Sequence, residues 1–315
     1  MLEFKISLST LASMVFCATV ASSAEPSVWD VAREPRLASD LAVLRDAERA
    51  LIQSRIHYGP GSRVPAQIAL REIESIHAAS SPEPRVRYFL GRMLARVEQD
   101  DRATVVLQDA FNFAPNHPGA TDALFSLAVS LARLGRSDDE LVAYRRWLAR
   151  EWSNTDRAVG LSNLAEGLMA AGHIEEAIAS YRDAIAHDYD NALAHWGLAV
   201  ALDRSGDSNG ALLEAGVALL LDPRAMQLDS PAVFFIPAYD QHWYHALGWM
   251  AGAVHAAGTS GESFSWRHAV SRWDQYLSEA SADDRWLPIA RLRREFCAQH
   301  VKRLASHVSP RGLSR

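Results

Sequence analysis

The segment Asp240-Gln241-His242-Trp243-Tyr244-His245 holds the side chains best suited to chemistry. His242 and His245 are three residues apart, so on a helix they share one face, and Asp240 or His268 would complete a divalent-metal site. The zinc-protease pattern, however, needs a glutamate between histidines four apart, and no cysteine or carboxylate cluster lies nearby in sequence. Packing histidines in a tryptophan-rich stretch is the better reading. Gly258-Thr259-Ser260-Gly261-Glu262 has the outline of a nucleophile elbow, but Glu262 stands where a glycine is required and no strand precedes it. The acidic pairs Asp100-Asp101, Asp138-Asp139 and Glu175-Glu176 could act as general acid and base. They fall where helices begin, and negative charge there complements the helix dipole. No phosphate-cradling glycine loop or nucleotide fingerprint occurs. The expectation is therefore no catalysis, no cofactor and no bound metal. The alternative is an envelope enzyme or metal-binding protein with a site around His242 and His245.

The elements that would position any site are helices. Between Arg157 and Pro223 one pattern occurs twice, offset by thirty-four residues: Leu164-Ala165 recurs as Leu198-Ala199, Leu168 as Leu202, Gly172 as Gly206, Ala177 as Ala211 and Ala184 as Ala218. Upstream, Leu90-Gly91, Leu94, Ala103, Leu107, Ala110 and Pro115 form another copy. Leu127-Ala128, Leu131, Gly135 and Tyr144 form a fourth, in which Glu140 replaces the expected small residue. A period of this length means stacked two-helix units that bury their apolar faces only against neighbours. Small residues permit close helix approach, Tyr144 and Tyr181 fill the space between units, and Gly135, Gly172 and Gly206 end the first helices. Ser137 with Glu140, and Ser281 with Asp284, have capping-box spacing.

This spacing resembles the tetratricopeptide repeat. The resemblance implies an all-α protein, an α-solenoid of antiparallel helix pairs wound as a right-handed superhelix. Its four copies span 84–117, 121–154, 158–191 and 192–225. We expect a divergent helical pair over 39–80, an extended linker over 226–237, and a degenerate repeat with a capping helix over 238–305. In the family, first helices line a concave groove. Carried onto this sequence, the groove positions are Arg85, Tyr88, Arg92, Arg96, Phe125, Arg133, Asn163, Glu166, Trp196 and Arg204. Arginine forks match carboxylates and aromatic rings supply buried area, so the resemblance implies a protein or peptide partner, of acidic character. The competing reading makes these arginines a solvated face and the aromatics inter-repeat filler. A chaperone-tail clamp is not expected: Asn163 is kept, but Tyr88, Ser126 and Val159 stand where that clamp needs polar or basic groups.

The ends of the chain suggest export. Lys5 precedes an apolar run from Ile6 to Val20, followed by Ser22-Ser23-Ala24, the layout of a secretory signal cleaved after Ala24. A tether over 25–38 and a disordered tail over 306–315 would flank the ordered chain. The expected location is periplasmic or secreted, with no stable membrane insertion after cleavage. The formal charge is −6, and residues 1–24 carry one acid and one base, so cleavage leaves it unchanged. That balance argues against nucleic acid as partner. Cys297 is the only cysteine after the signal, which excludes an internal disulfide and suits a small buried apolar role. Trp243, Trp249, Trp266, Trp273 and Trp286 concentrate in the last third as expected core.

Overall fold

A computed structural model describes residues 35–58, 63–150, 152–230, 233, 235 and 237–308. The signal segment, most of the tether and residues 309–315 of the tail lie outside the described residues, while residues 306–308, expected in a disordered tail, continue the last helix. Among those described, every regular element is a helix. The fold is an α-solenoid of antiparallel helix pairs. In chain order these are α1 (Pro35–Tyr58) with α2 (Val64–Ile73), α3 (Pro84–Arg96) with α4 (Asp100–Phe113), and α5 (Gly119–Arg133) with α6 (Ser137–Leu148). Then follow α7 (Asn154–Ala171) with α8 (Ile174–His187), α9 (Ala192–Ser205) with α10 (Ser208–Leu221), α11 (Gln241–His255) with α12 (Ser260–Glu279), and finally α13 (Leu287–Val308). The chain divides into two compact units, the first ending at Trp152 and the second beginning at Ser153.

The recurring small residues do what their size allows. Ala103, Ala128, Ala165, Ala177, Ala199 and Ala211 are all fully buried, so partner helices meet almost backbone to backbone. The intervening leucines Leu94, Leu131, Leu168 and Leu202 are buried beside them, each contributing about 1.5–3 kcal/mol by leaving water. Gly172 and Gly206 close α7 and α9 in the left-handed region, at φ of 90° and 97°, where a side chain would be strained. In the first unit, Leu44 and Ala47 of α1, Ala69 and Ile73 of α2, and Val86, Phe89, Met93 and Leu94 of α3 form one core cluster.

Several local expectations are corrected. Helix α1 starts at Pro35, so residues 35–38 belong to it and not to a tether. Helix α2 stops at Ile73, and a 3-10 turn at Ala78–Ser80 replaces the rest of the expected helix. Ser137 does not cap α6; Arg136 occupies the N-cap and its side chain makes no capping bond. Glu140 is turned inward instead. Residues 226–229 form a turn rather than an extended strip, and Leu228 is buried. Before α13, Asp284 accepts from the Trp286 amide at 2.7 Å, while Ser281 donates to Asp283. The intended capping pair is thus split between two partners.

Candidate functional site

In the first unit, α3 carries Arg85, Arg92 and Arg96, spaced seven and four residues apart so that all three lie on one face. Pro84 sets the first turn and the Glu83 carboxylate accepts from the Arg85 amide, so this face begins at a capped N-terminus. Arg85 reaches Glu48 of α1 at 3.6 Å, and Arg92 reaches Asp122 of α5 at 3.3 Å. Burial lowers the Arg92 pKa; Asp122 and Glu48 raise it, and Arg55 of α1 lowers it. Burial also lowers the Arg96 pKa, to about 10, with Arg55 and Arg92 adding to the shift. Arg55 on α1 and Arg92 on α3 are thus near enough to the Arg96 guanidinium for their like charges to add to its shift.

Other groove candidates in this unit serve packing. Tyr88 is 2 % exposed, and its hydroxyl donates to the carbonyls of Ala110 and Ala114 at 3.1 and 2.9 Å. Burial pushes its pKa up to about 12. It ties α3 to the end of α4 and is not available to a ligand. Phe125 meets Tyr144 and Trp147 with ring centroids 5.9 and 5.6 Å away, joining α5 to α6. Arg133 donates to the Ala95 carbonyl at 3.1 Å and pairs with Asp100 at 3.4 Å. It clamps α5 onto the α3–α4 turn.

The second unit departs further from expectation. Trp196 is fully buried, and an added Cβ at Gly248 would come 2.9 Å from its ring. Helix α11 therefore covers the face of α9 on which a ligand was expected. Arg204 is also interior: its side chain is 1 % exposed and pairs with Asp240 at 2.9 Å. The guanidinium stacks over Trp243 at 4.6 Å and Trp286 at 5.1 Å. Asn163 is half-buried on α7.

The metal candidates disperse. Asp240 is held by Arg204, His242 faces Glu279 at 3.2 Å, and His245 faces Asp229 at 3.2 Å. His268 contacts the Phe264 carbonyl within its own helix. Burial, with Arg272 nearby, lowers the His245 pKa. Among the described residues no three histidine, cysteine or acidic side chains converge as a metal site. An open cleft of about 200 Å³ borders Arg204, Tyr239, Asp240, Asp284 and Trp286. Its polar groups are engaged: Tyr239 and Tyr276 both donate to Asp284, at 2.7 and 3.0 Å.

The model of the tetratricopeptide repeat family matches residues 107–155 and 163–225. The chain carries tetratricopeptide repeats. Those matched residues include α5, α6, the second half of α7 and α8 to α10. No curated protein matches the chain in sequence. Among solved structures, MamA from MSR-1 is 18 % identical, with 59 % of this chain and 98 % of that one covered at a TM-score of 0.49. MamA from Desulfovibrio magneticus RS-1 is also 18 % identical, covering 57 % of this chain and 96 % of that one at a TM-score of 0.48. The tetratricopeptide pattern located α3 and its arginines, but Arg55 was missed. It lies on α1, outside the recurring pattern, and α1 packs on α3.

Proposed function

We propose that this chain is a non-catalytic protein-interaction scaffold of the cell envelope, exported by its first residues. In this reading the arginine face of α3 receives an acidic segment of a partner protein. The observation that carries it is the placement of Arg85, Arg92 and Arg96 on the first helix of a repeat, at the surface or half-buried, while Tyr88, Trp196 and Arg204 are drawn into packing. Rigid helices hold such cations at fixed spacing, and preorganisation lowers the entropic cost of docking an extended chain. The His242 and His245 neighbourhood offers no comparable constellation, because each histidine faces a different carboxylate.

The test is an affinity capture from envelope extract with the protein lacking residues 1–24. A specific protein should co-purify, and Arg92→Ala combined with Arg96→Ala should weaken its retention without changing the helical circular dichroism signal. Equal retention by the double variant would remove the α3 face from the reading. Fractionation of cells making the full chain with a carboxy-terminal tag would separately test export.

A further inference from the structure

We infer that the outer face of α10 is a self-association surface: two copies of the chain pair through it, their α10 helices crossing antiparallel about a two-fold axis at Gly216. Such pairing lies beyond the scaffold function proposed above and does not require it. The other second helices turn charged and polar groups outward at the corresponding positions. Where α10 has Gly216 and Val217, α8 has Arg182 and Asp183, α6 has Arg145 and Arg146, and α12 has Asp274 and Gln275. Where α8 has Ala179 and Ala186, α10 has Leu213 and Leu220, left 72 % and 81 % exposed. Glu214 is the single ionisable residue of α10, and it is taken by His195 of α9 at 2.7 Å. The inner faces of α10 pack on α9 and α11.

The spacing of this face fits a copy of itself. Leu213, Gly216 and Leu220 follow one another at three and four residues, the seam by which helix packs on helix, and the two leucines stand almost equally far on either side of Gly216. A two-fold axis there sets Leu213 of one copy beside Leu220 of the other, twice over, which is the self-complementarity an isologous interface requires. Gly216 has no other evident use: a Cβ added to it would meet nothing within 4 Å, and glycine inside a helix is less stable than alanine. At a helix crossing it lets the two backbones approach and the leucines interleave. Charge selects the same occupant. The chain carries −6 overall, so copies repel at long range, and an uncharged strip is where they can meet. Helices that lie on anionic membranes carry lysine and arginine beside the apolar face, whereas α10 is flanked by Asp207 and Asp222 and holds Glu214. Its 14 residues make a helix about 21 Å long, so the buried area falls below the roughly 800 Å² per partner of a standard stable interface. The dimer is therefore weak and forms at high concentration.

The test is sedimentation equilibrium of the protein purified from cells making the full chain, over about 5–500 μM, with circular dichroism as the check on folding. A monomer–dimer equilibrium should appear toward the upper end of that range. Leu213→Gln and Leu220→Gln should each weaken it about tenfold or more. Val142→Gln, at an exposed apolar side chain of α6, should leave it unchanged. Gly216→Ala separates an interface from a structural role: it should raise the melting temperature of dilute protein, because alanine is the better helix former, and yet weaken the dimer, because the added methyl holds the helices apart. Leu213→Glu with Leu220→Lys in one chain should pair more tightly than either change alone, since an antiparallel crossing sets the opposite charges together. No recovery in that double variant would overturn the antiparallel crossing. A monomer at every concentration would overturn the proposal, and so would a dimer indifferent to Leu213 and Leu220. If the chain is monomeric and floats with phosphatidylcholine–phosphatidylglycerol vesicles unless Leu220→Gln is present, the face belongs to a lipid surface instead. If the monomer retains a different protein from envelope extract in the same Leu220-dependent way, the face belongs to that protein.

Discussion

Arg204 and Asp240 lie 2.9 Å apart with the arginine side chain only 1 % exposed and the aspartate 14 %. Burial alone opposes both charges; at Arg204 the Asp240 carboxylate, with Tyr276 and Tyr244, more than offsets it and the pKa rises, whereas at Asp240 burial outweighs Arg204 and the pKa is also raised. Breaking one partner leaves the other charged in the interior. Asp240→Asn is expected to destabilise the second unit by about 3–5 kcal/mol in urea denaturation. Asp240→Asn combined with Arg204→Met should cost less than the single change. A double variant that costs the sum of both singles would show that the pair is not coupled.

Tyr181 crosses from α8 onto Gly197 of α9, where an added Cβ would come 2.3 Å from its ring. The ring is buried and cannot swing out. Gly197→Ala should therefore destabilise by about 1–3 kcal/mol, through overpacking and not through helix propensity, which favours alanine. Shortening the ring with Tyr181→Leu in the same chain should recover part of the loss. Melting curves of the four proteins in that cycle decide it.

Glu140 is 6 % exposed, and burial raises its pKa to about 7. The folded chain thus keeps this proton up to about pH 7, whereas the unfolded chain releases it near pH 4.3. Between those values the folded state binds more protons, so stability falls as pH rises through the window and is level above it. Glu140→Ala restores the residue size found at Ala103, Ala177 and Ala211. It should flatten that slope and exceed the parent at pH 8 by on the order of 2 kcal/mol. Parallel stability curves from pH 5 to pH 8 would show that Glu140 is hydrated in solution.

Cys297 is fully buried on α13, and burial pushes its thiol up to about 12. The thiolate is the reactive form, so the folded protein should resist thiol reagents at pH 8. Labelling should appear only under denaturant and follow the loss of helical signal. Fast labelling in buffer would place α13 in an opening motion of its own.

The repeat register was legible because it is local: Gly172 and Gly206, Ala177 and Ala211, and Tyr181 each repeat a requirement met within about one period. What the sequence could not convey is which first-helix residues remain accessible. Trp196 stands at a position that faces a ligand when the next helix pair leaves it open, and here α11 brings Gly248 against its ring. Arg204 was drawn inward in the same way by Asp240, Trp243 and Trp286, none of which belongs to a matching copy. Arg55 failed for the opposite reason, since its helix has no repeat signature and nothing linear joins it to Arg96. Glu140 was visible as an anomaly, and its inward turn explains why the expected cap with Ser137 is absent.

Asp203 of α9 accepts from Trp243 Nε1 of α11 at 3.0 Å and from Arg293 Nε of α13 at 2.6 Å. Arg285, just before α13, also donates to the Ala171 carbonyl at the end of α7, at 3.3 Å. A repeat array is ordinarily divisible, because each pair touches only the next and can be lost from the end at the cost of one junction. Here the last helix reaches back past an entire pair. Trimming the chain before α13 would strip a counter-charge from the middle of the second unit and leave a carboxylate buried there. This half of the solenoid consequently has no natural stopping point short of its final helix, and it gains or loses its repeats together.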